Sequence, residues 1–191
     1  MSSIRLFVAF ETPPAVMQAL RPLLSDLRKN VHGVRWEPDE KLHTTLRFFG
    51  ETAEELLPSL DSVLRTTAAA APTTITVRYE AVGFFPDVRR PRVVWIGIDD
   101  PSGGIAGLRN RLDVGIEPLG FRPEERPFSP HLTLGRVRDP HAATGLIAKV
   151  ETVTFRSDPV PIRAMTLFRS RLTPEGSVYS VRARYPFGAS A

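Results

Sequence analysis

Two of the four histidines in this 191-residue chain stand in the same setting, His43-Thr44-Thr45-Leu46 and His131-Leu132-Thr133-Leu134. Imidazole has an unperturbed pKa that lets its acid and base forms coexist near neutral pH, so a pair of them can give and take a proton in one reaction. If each motif lies on a strand, alternation sends His43 with Thr45, and His131 with Thr133, to one face. Leu46 and Leu134 then turn the other way, toward a core. Each strand thus presents one titratable ring beside one hydroxyl. That inventory suits the in-line opening of a cyclic phosphate. A neutral imidazole takes a proton from water, an imidazolium supplies one to the departing oxygen, and threonine hydroxyls donate to the non-bridging oxygens. A single histidine on a strand usually serves packing alone; the same pair repeated in matching surroundings is what points to chemistry. Zinc fits poorly, since no third histidine or carboxylate stands at a ligating offset on either strand. No metal and no cofactor are therefore expected. His32 and His141 read as turn or surface residues.

The elements that must carry these motifs follow from periodicity. Residues 4–10 form a short apolar run rich in aromatic and β-branched side chains, which predicts a strand. Thr12-Pro13-Pro14 looks like a helix start with Thr12 as cap, and Val16, Leu20, Leu23, Leu24 and Leu27 recur at helical spacing. Strands are predicted over 34–36 and 42–49. A helix over 52–70 is predicted next, with Thr52 and Glu55 as a capping box. Strands at 73–82 and 92–98 flank a loop over 83–91. Ser102 then opens a helix bearing Ile105, Leu108, Leu112 and Ile116, and residues 132–137 return to a strand. A weak helix is expected over 140–149. Three tail strands come last, at 150–155, 160–169 and 177–185, the final two joined by a turn at Thr173-Pro174-Glu175-Gly176.

This order hides a repeat. Leu6 precedes His43 by 37 positions, and Val94 precedes His131 by 37. Each interval holds a helix and ends in His-x-Thr-Leu on a strand. A unit that occurs only twice is a duplication rather than a solenoid. The expected fold is α+β and bilobal, with two pseudo-symmetric lobes that each hold an antiparallel sheet and helices, and an active-site cleft between them. Residues 1–191 are read as one domain, with repeat units at roughly 4–70 and 92–150 and the tail strands completing the sheets.

Composition narrows the partners. Hydrophobic residues make up 42% and charged residues 24%, with a net charge of +4. That charge is too modest and too scattered for a protein that coats nucleic acid, yet 22 arginines against three lysines suit bidentate contact with phosphate. A small anionic ligand or one RNA end is the expected partner. There is no cysteine, which excludes disulfides and thiolate chemistry and fits a reducing cytoplasm. Neither a membrane-spanning run nor a signal peptide is read, so no membrane partner is expected, and the chain is taken as a cytoplasmic monomer without an obligate protein partner.

The motifs and their flanks resemble a known family. The matching residues are Arg5-Leu6-Phe7-Val8-Ala9, then Leu42 through Glu51, Phe85-Pro86, and Arg90 through Gly97. They continue with Arg126-Pro127-Phe128-Ser129-Pro130-His131-Leu132-Thr133-Leu134-Gly135-Arg136, and with Leu167-Phe168-Arg169-Ser170 and Tyr179. On these the chain resembles the RNA 2′,3′-cyclic phosphodiesterases, historically called 2′-5′ RNA ligases, of the two-histidine phosphoesterase superfamily. Phe49 stands where leucine is more usual.

The resemblance implies metal-independent opening of terminal 2′,3′-cyclic phosphates of RNA or nucleotides to 2′-phosphates, with reverse 2′-5′ ligation allowed by microscopic reversibility. It also assigns the roles that near-symmetric motifs leave open, with His43 as proton donor to the departing 3′ oxygen and His131 as the base that activates water. Arg136 matches an arginine that contacts substrate. It lies five residues after His131, however, so parity sends it to the opposite face unless Gly135 hosts a bulge. Arg47 has the right parity but lies about 13 Å beyond His43 along the strand, so it would face only a longer nucleic-acid chain. Arg89, Arg90 and Arg92 read as a solvated edge that would also suit an RNA backbone. Phe48, Phe128 and Trp36 have the chemistry to stack on a base, though each also has a core role open to it. Two alternatives stand beside the hydrolase: a two-histidine enzyme for another nucleotide, such as a 2′-5′ oligonucleotide or ADP-ribose cyclic phosphate, and a non-catalytic module that binds RNA ends. Retention of both histidines weighs against the second.

Overall fold

The apolar run that starts the chain becomes a strand buried on both faces, β1 (Ser3–Glu11), as a strand in mid-sheet must be. The computed structural model describes residues 2–124, 127–139, 143–174 and 176–189. After β1 come α1 (Pro14–Asn30), β2 (Val34–Trp36), β3 (His43–Ala53), α2 (Leu57–Ala69), β4 (Ile75–Phe85) and β5 (Val93–Asp99). The chain continues through α3 (Gly104–Ile116), β6 (His131–Val137), α4 (Ala143–Glu151), β7 (Val160–Ile162), β8 (Ala164–Thr173) and β9 (Gly176–Pro186).

The strands form one sheet in the order β7-β4-β5-β6-β3-β1-β8-β9, with β2 added beside β6, and every pairing is antiparallel. Its halves mirror one another. β3-β1-β8-β9 answers β6-β5-β4-β7, and the chain runs β1-α1-β3-α2 in one half and β5-α3-β6-α4 in the other. Each half borrows its third strand from outside its repeat, β8 from the tail and β4 from the connection. The fold is α+β and bilobal, as expected. The lobes are not separate sheets, however; the motif strands β3 and β6 meet through the pair Thr44 and Leu132 at the centre of the molecule, and β2 of the first unit pairs with β6 as well.

Helices close the core face. Val16, Leu20, Leu24 and Leu27 of α1, Leu60 and Leu64 of α2, and Ile105, Leu108, Leu112 and Ile116 of α3 are all buried, at the three- and four-residue spacing that puts them on one stripe. Full burial of such a side chain contributes about 1.5–3 kcal/mol, which is ample to hold a helix on a sheet. Among the described residues no helix is long and apolar enough to cross a membrane.

Local expectations fail where a distant partner displaces the local one. Thr12 caps nothing and instead donates to the Leu42 carbonyl at 2.8 Å, tying the start of α1 to the approach to β3. The capping box at Thr52 does not form either, because β3 continues through Ala53 and Thr52 bonds to the Gly50 carbonyl. The strand expected over 150–155 is absent, because α4 runs to Glu151 and buries Val150. The start of the expected helix at 140–142, with His141, lies outside the described residues, as do Arg126 and Glu175.

Candidate active site

The Thr44–Leu132 pairing fixes the faces of both motifs. Thr44, Leu46, Leu132 and Leu134 are fully buried on the core side, so alternation leaves His43, Thr45, His131 and Thr133 on the opposite face, each half-buried. Counting outward from that antiparallel pair sets His43 across from Thr133 and Thr45 across from His131. Two imidazoles and two hydroxyls therefore share one patch of sheet. The rings also feel each other electrostatically: the charge on His131 is among the causes that lower the His43 pKa.

Both rings are held in the same tautomer by the same device. The Nδ1 of His43 lies 2.6 Å from the Lys41 carbonyl, and that of His131 lies 2.8 Å from the Ser129 carbonyl, each two residues upstream. A carbonyl only accepts, so Nδ1 carries the hydrogen in each ring and Nε2 is left to exchange protons. Burial, which penalises the charged form, holds both pKa values below the usual 6.5. The backbone hydrogen bond opposes that shift in each case, and the charge of Arg136 adds to the lowering at His131.

Aromatic rings fix the orientations. His43 packs on Phe7 at 4.9 Å between centroids and meets Tyr179 edge-on at 5.4 Å, with Phe168 at 6.2 Å. His131 meets Phe85 edge-on at 4.8 Å, with Trp95 at 6.4 Å. Phe7 and Trp95 are themselves counterparts, 88 positions apart like the two histidines. A hollow of about 390 Å³ opens beside His43, lined by Leu42, Phe168, Tyr179, Val181 and a Glu11–Arg184 ion pair. A larger one of about 510 Å³ lies against α1 at Arg21 and Arg28 and touches neither motif.

Two matched bulges reverse the facing of the residues downstream of each motif. Against β5, Val94 pairs with Gly135 and Trp95 with Thr133, so Leu134 is an extra residue on β6. The parity of β6 flips there, and Arg136 returns to the face of His131. Its charge accordingly adds to the lowering that burial causes at His131, and opposes the burial that raises the pKa of Tyr179. Gly135 is required at this bulge, because a Cβ would stand 2.9 Å from Trp36 and from Val34. Against β1, Val8 pairs with Arg47 and Ala9 with Thr45, so Leu46 is the extra residue on β3.

That second bulge overturns the reading of Arg47 as a residue facing a nucleic-acid chain. Arg47 turns inward, only 4% exposed, where it pairs with Asp113 at 3.5 Å and Glu124 at 2.9 Å and donates to the Arg122 carbonyl. Arg109 completes the cluster. It pairs with Asp113 and Glu124, lies over the Phe128 ring, and donates at 2.6 Å to the Leu46 carbonyl at the bulge.

The model of the 2′-5′ RNA ligase superfamily matches residues 11–172, most of the chain and both histidine motifs. The chain belongs to the 2′-5′ RNA ligase superfamily. It is 35% identical over 178 residues to an RNA 2′,3′-cyclic phosphodiesterase of Archaeoglobus fulgidus, covering 92% of this chain and 96% of the relative. A second phosphodiesterase of that name, from Methanothermobacter thermautotrophicus, is 33% identical over 181 residues, or 93% and 95% of the two chains. A solved structure from Thermus thermophilus shares the fold at TM-score 0.82 and 27% identity, covering 98% of this chain and 100% of the other.

In this member of the superfamily several residues that shape the site carry no signal that sequence reasoning picks up. The carbonyls of Lys41 and Ser129 have no side-chain signature. Phe7, Trp95 and Phe168 read as strand residues and Phe85 as part of the 83–91 loop, all flanks of the resemblance to which the sequence assigns no part in the chemistry. The 88-residue offset that relates the two histidines would have found Phe7 and Trp95, since it maps each onto the other. Arg89, Arg90 and Arg92 are exposed, with the Asp87 carboxylate capping the turn that carries the first two. His32 is exposed, as expected. Among the described residues no three His, Asp or Glu side chains are grouped so as to hold a metal ion.

Proposed function

We propose that this protein hydrolyses terminal 2′,3′-cyclic phosphodiesters of RNA or nucleotides to 2′-phosphomonoesters, with His43 and His131 as general acid and base and no metal. The observation that carries this reading is the pair of imidazoles on one patch of sheet, each locked with Nδ1–H on a carbonyl and Nε2 free. The relatives named RNA 2′,3′-cyclic phosphodiesterase support it. Nε2 of His131 accepts a proton from water as the water oxygen bonds to phosphorus. The P–O3′ bond breaks, and Nε2–H of His43 delivers a proton to the departing O3′. Thr45 and Thr133 donate to the non-bridging oxygens, and Arg136, returned to this face by its bulge, supplies positive charge to the same group. The run in reverse, joining RNA ends through a 2′-5′ linkage, uses the same two proton transfers. Both motifs come from one chain, so we read the protein as active in monomeric form, and its lack of cysteine fits a reducing cytoplasm.

The experiment is turnover of an RNA ending in a 2′,3′-cyclic phosphate, with EDTA present and the product phosphate located by NMR. A 2′-phosphate formed at undiminished rate is expected. Loss of activity in EDTA with recovery on adding zinc, or a 3′-phosphate product, would overturn the mechanism.

The pH dependence follows from the same geometry. Both imidazoles titrate below 6.5, one must be charged and one neutral, and kcat/KM reports the free enzyme. The rate therefore rises as the base loses its proton, falls as the acid loses its own, and peaks on the acid side of pH 6.5. A kcat/KM profile still climbing above pH 7 would contradict this assignment.

A further inference from the structure

At each bulge the carbonyl of the extra residue is bonded, but by a different kind of donor. On β6 the Leu134 carbonyl accepts from the backbone N–H of Glu37, the residue after β2, at 2.8 Å. On β3 the Leu46 carbonyl accepts from the Arg109 guanidinium at 2.6 Å. The 88-residue offset that relates the two histidines maps β2, residues 34–36, onto residues 122–124, and those form no strand. The bulge on β3 therefore lacks the neighbouring strand that its counterpart has. Two guanidiniums serve in its place: Arg47 donates to the Arg122 carbonyl and Arg109 to the Leu46 carbonyl, and both pair with Glu124.

Arg109, only 4% exposed, makes three bonds with three nitrogens. Nη1 holds Leu46, Nε meets Asp113 at 2.6 Å, and Nη2 meets Glu124 at 3.3 Å. The guanidinium also lies 5.0 Å over the ring of Phe128, the residue before Ser129, whose carbonyl holds the His131 ring. One buried side chain of α3 thus touches the residue after Thr45 and the residue before Ser129. We infer that Arg109 is a positioning residue for the reaction, holding the bulge that aims Thr45 and steadying the segment that orients His131. This rests on the phosphodiesterase reading and deepens it. Without its donor the Leu46 carbonyl is buried and unpaired, and β3 relieves that by shifting its backbone. Thr45 moves with it, and a displacement of about 1 Å is enough to cost about 10²-fold in rate.

The test is steady-state turnover of adenosine 2′,3′-cyclic phosphate by Arg109→Met, Arg109→Lys and Asp113→Asn, each well below its Tm. Arg109→Met lowers kcat about 10²-fold with KM little changed. Arg109→Lys keeps a cation for the carboxylates but has no planar fork to reach Leu46 as well. It holds most of the Tm and still loses kcat, which covers the case of an Arg109→Met that does not fold. Asp113→Asn takes an ion-pair partner from both guanidiniums and lowers the Tm, yet its kcat stays near wild type because Nη1 remains on Leu46. Adding Thr45→Ala costs a smaller factor in either Arg109 variant than in the wild type, since a displaced hydroxyl has less to lose. An undiminished kcat in the Arg109 variants, a kcat that follows Tm across all three, or an equal Thr45→Ala factor in every background would overturn the inference. A wild type that hydrolyses no cyclic phosphate refutes the phosphodiesterase alone, and imidazole ¹⁵N spectra then decide. Rings of His43 and His131 that shift in Arg109→Met and not in Asp113→Asn speak for positioning, and unshifted rings speak against it.

Discussion

Replacing either His43 or His131 with alanine lowers kcat on a 2′,3′-cyclic phosphodiester by about 10²–10⁴-fold, the usual contribution of a positioned acid or base. Each ring is half-buried and bonded only to a neighbouring carbonyl, so the sheet beneath it, with fully buried Leu46 and Leu134, remains intact. Thermal unfolding of both variants should stay near that of the wild type. The double variant loses less than the product of the single losses, because acid and base act in one concerted displacement and neither works at full value alone. Thr45→Ala and Thr133→Ala are milder, since each removes one donor to a phosphate oxygen and leaves both proton transfers in place. Single-turnover rates on a cyclic nucleotide separate these cases. Near wild-type turnover in either histidine variant would make that residue structural and dissolve the pair.

A loss of stability of similar consequence is expected from Arg47→Ala. Its guanidinium is 4% exposed and faces Asp113 and Glu124, while Arg109 shares both carboxylates and satisfies the bulge carbonyl of Leu46. Removing one member of a buried ion cluster leaves the others desolvated and unbalanced, at a cost of about 3–5 kcal/mol. Asp113 and Glu124 are 29% and 40% exposed, so water relieves part of that penalty and the lower end of the range applies. For a chain of this size, about 3 kcal/mol corresponds to a fall in Tm of about 6–12 °C. Calorimetry or urea unfolding reads it directly. A shift of less than about 2 °C would mean that the cluster contributes little, as exposed ion pairs do.

The burial of Arg47 has its origin in the bulge on β3, and that origin explains where the sequence stops being legible. Reading outward from His43 by alternation is sound for Thr44, Thr45 and Leu46, because those residues lie before the bulge. Beyond Leu46 the rule inverts. Nothing in the composition of β3 announces the extra residue; it arises because β1, β3 and α3 must be matched to one another, with Arg109 bonding the carbonyl at the bulge. On β6 a local hint exists. Gly135 suggests an irregular strand, and the bulge that returns Arg136 to the catalytic face lies beside it. The failed caps at Thr12 and Thr52 teach the same lesson, since both hydroxyls have the right local chemistry and both are claimed by carbonyls elsewhere.

By itself the sequence determined the two matched histidine motifs and their duplication. Two His-x-Thr-Leu motifs, each 37 positions after a matching apolar strand residue, specify which side chains share a face, because alternation is a property of any strand wherever it lies. The α+β class follows in the same way from the periods of the apolar residues. Only the tertiary structure decided that the lobes share one sheet, that the motif strands meet at Thr44 and Leu132, and which residues stand beside the imidazoles. These outcomes depend on contacts between residues far apart in the chain. Tyr179 lies 136 positions from the His43 ring it touches edge-on, and Phe85 lies 46 from His131. Local pattern carries no information about such pairs. They are set by which strand arrangement buries the most apolar surface while satisfying every backbone donor and acceptor, a condition on the whole chain at once.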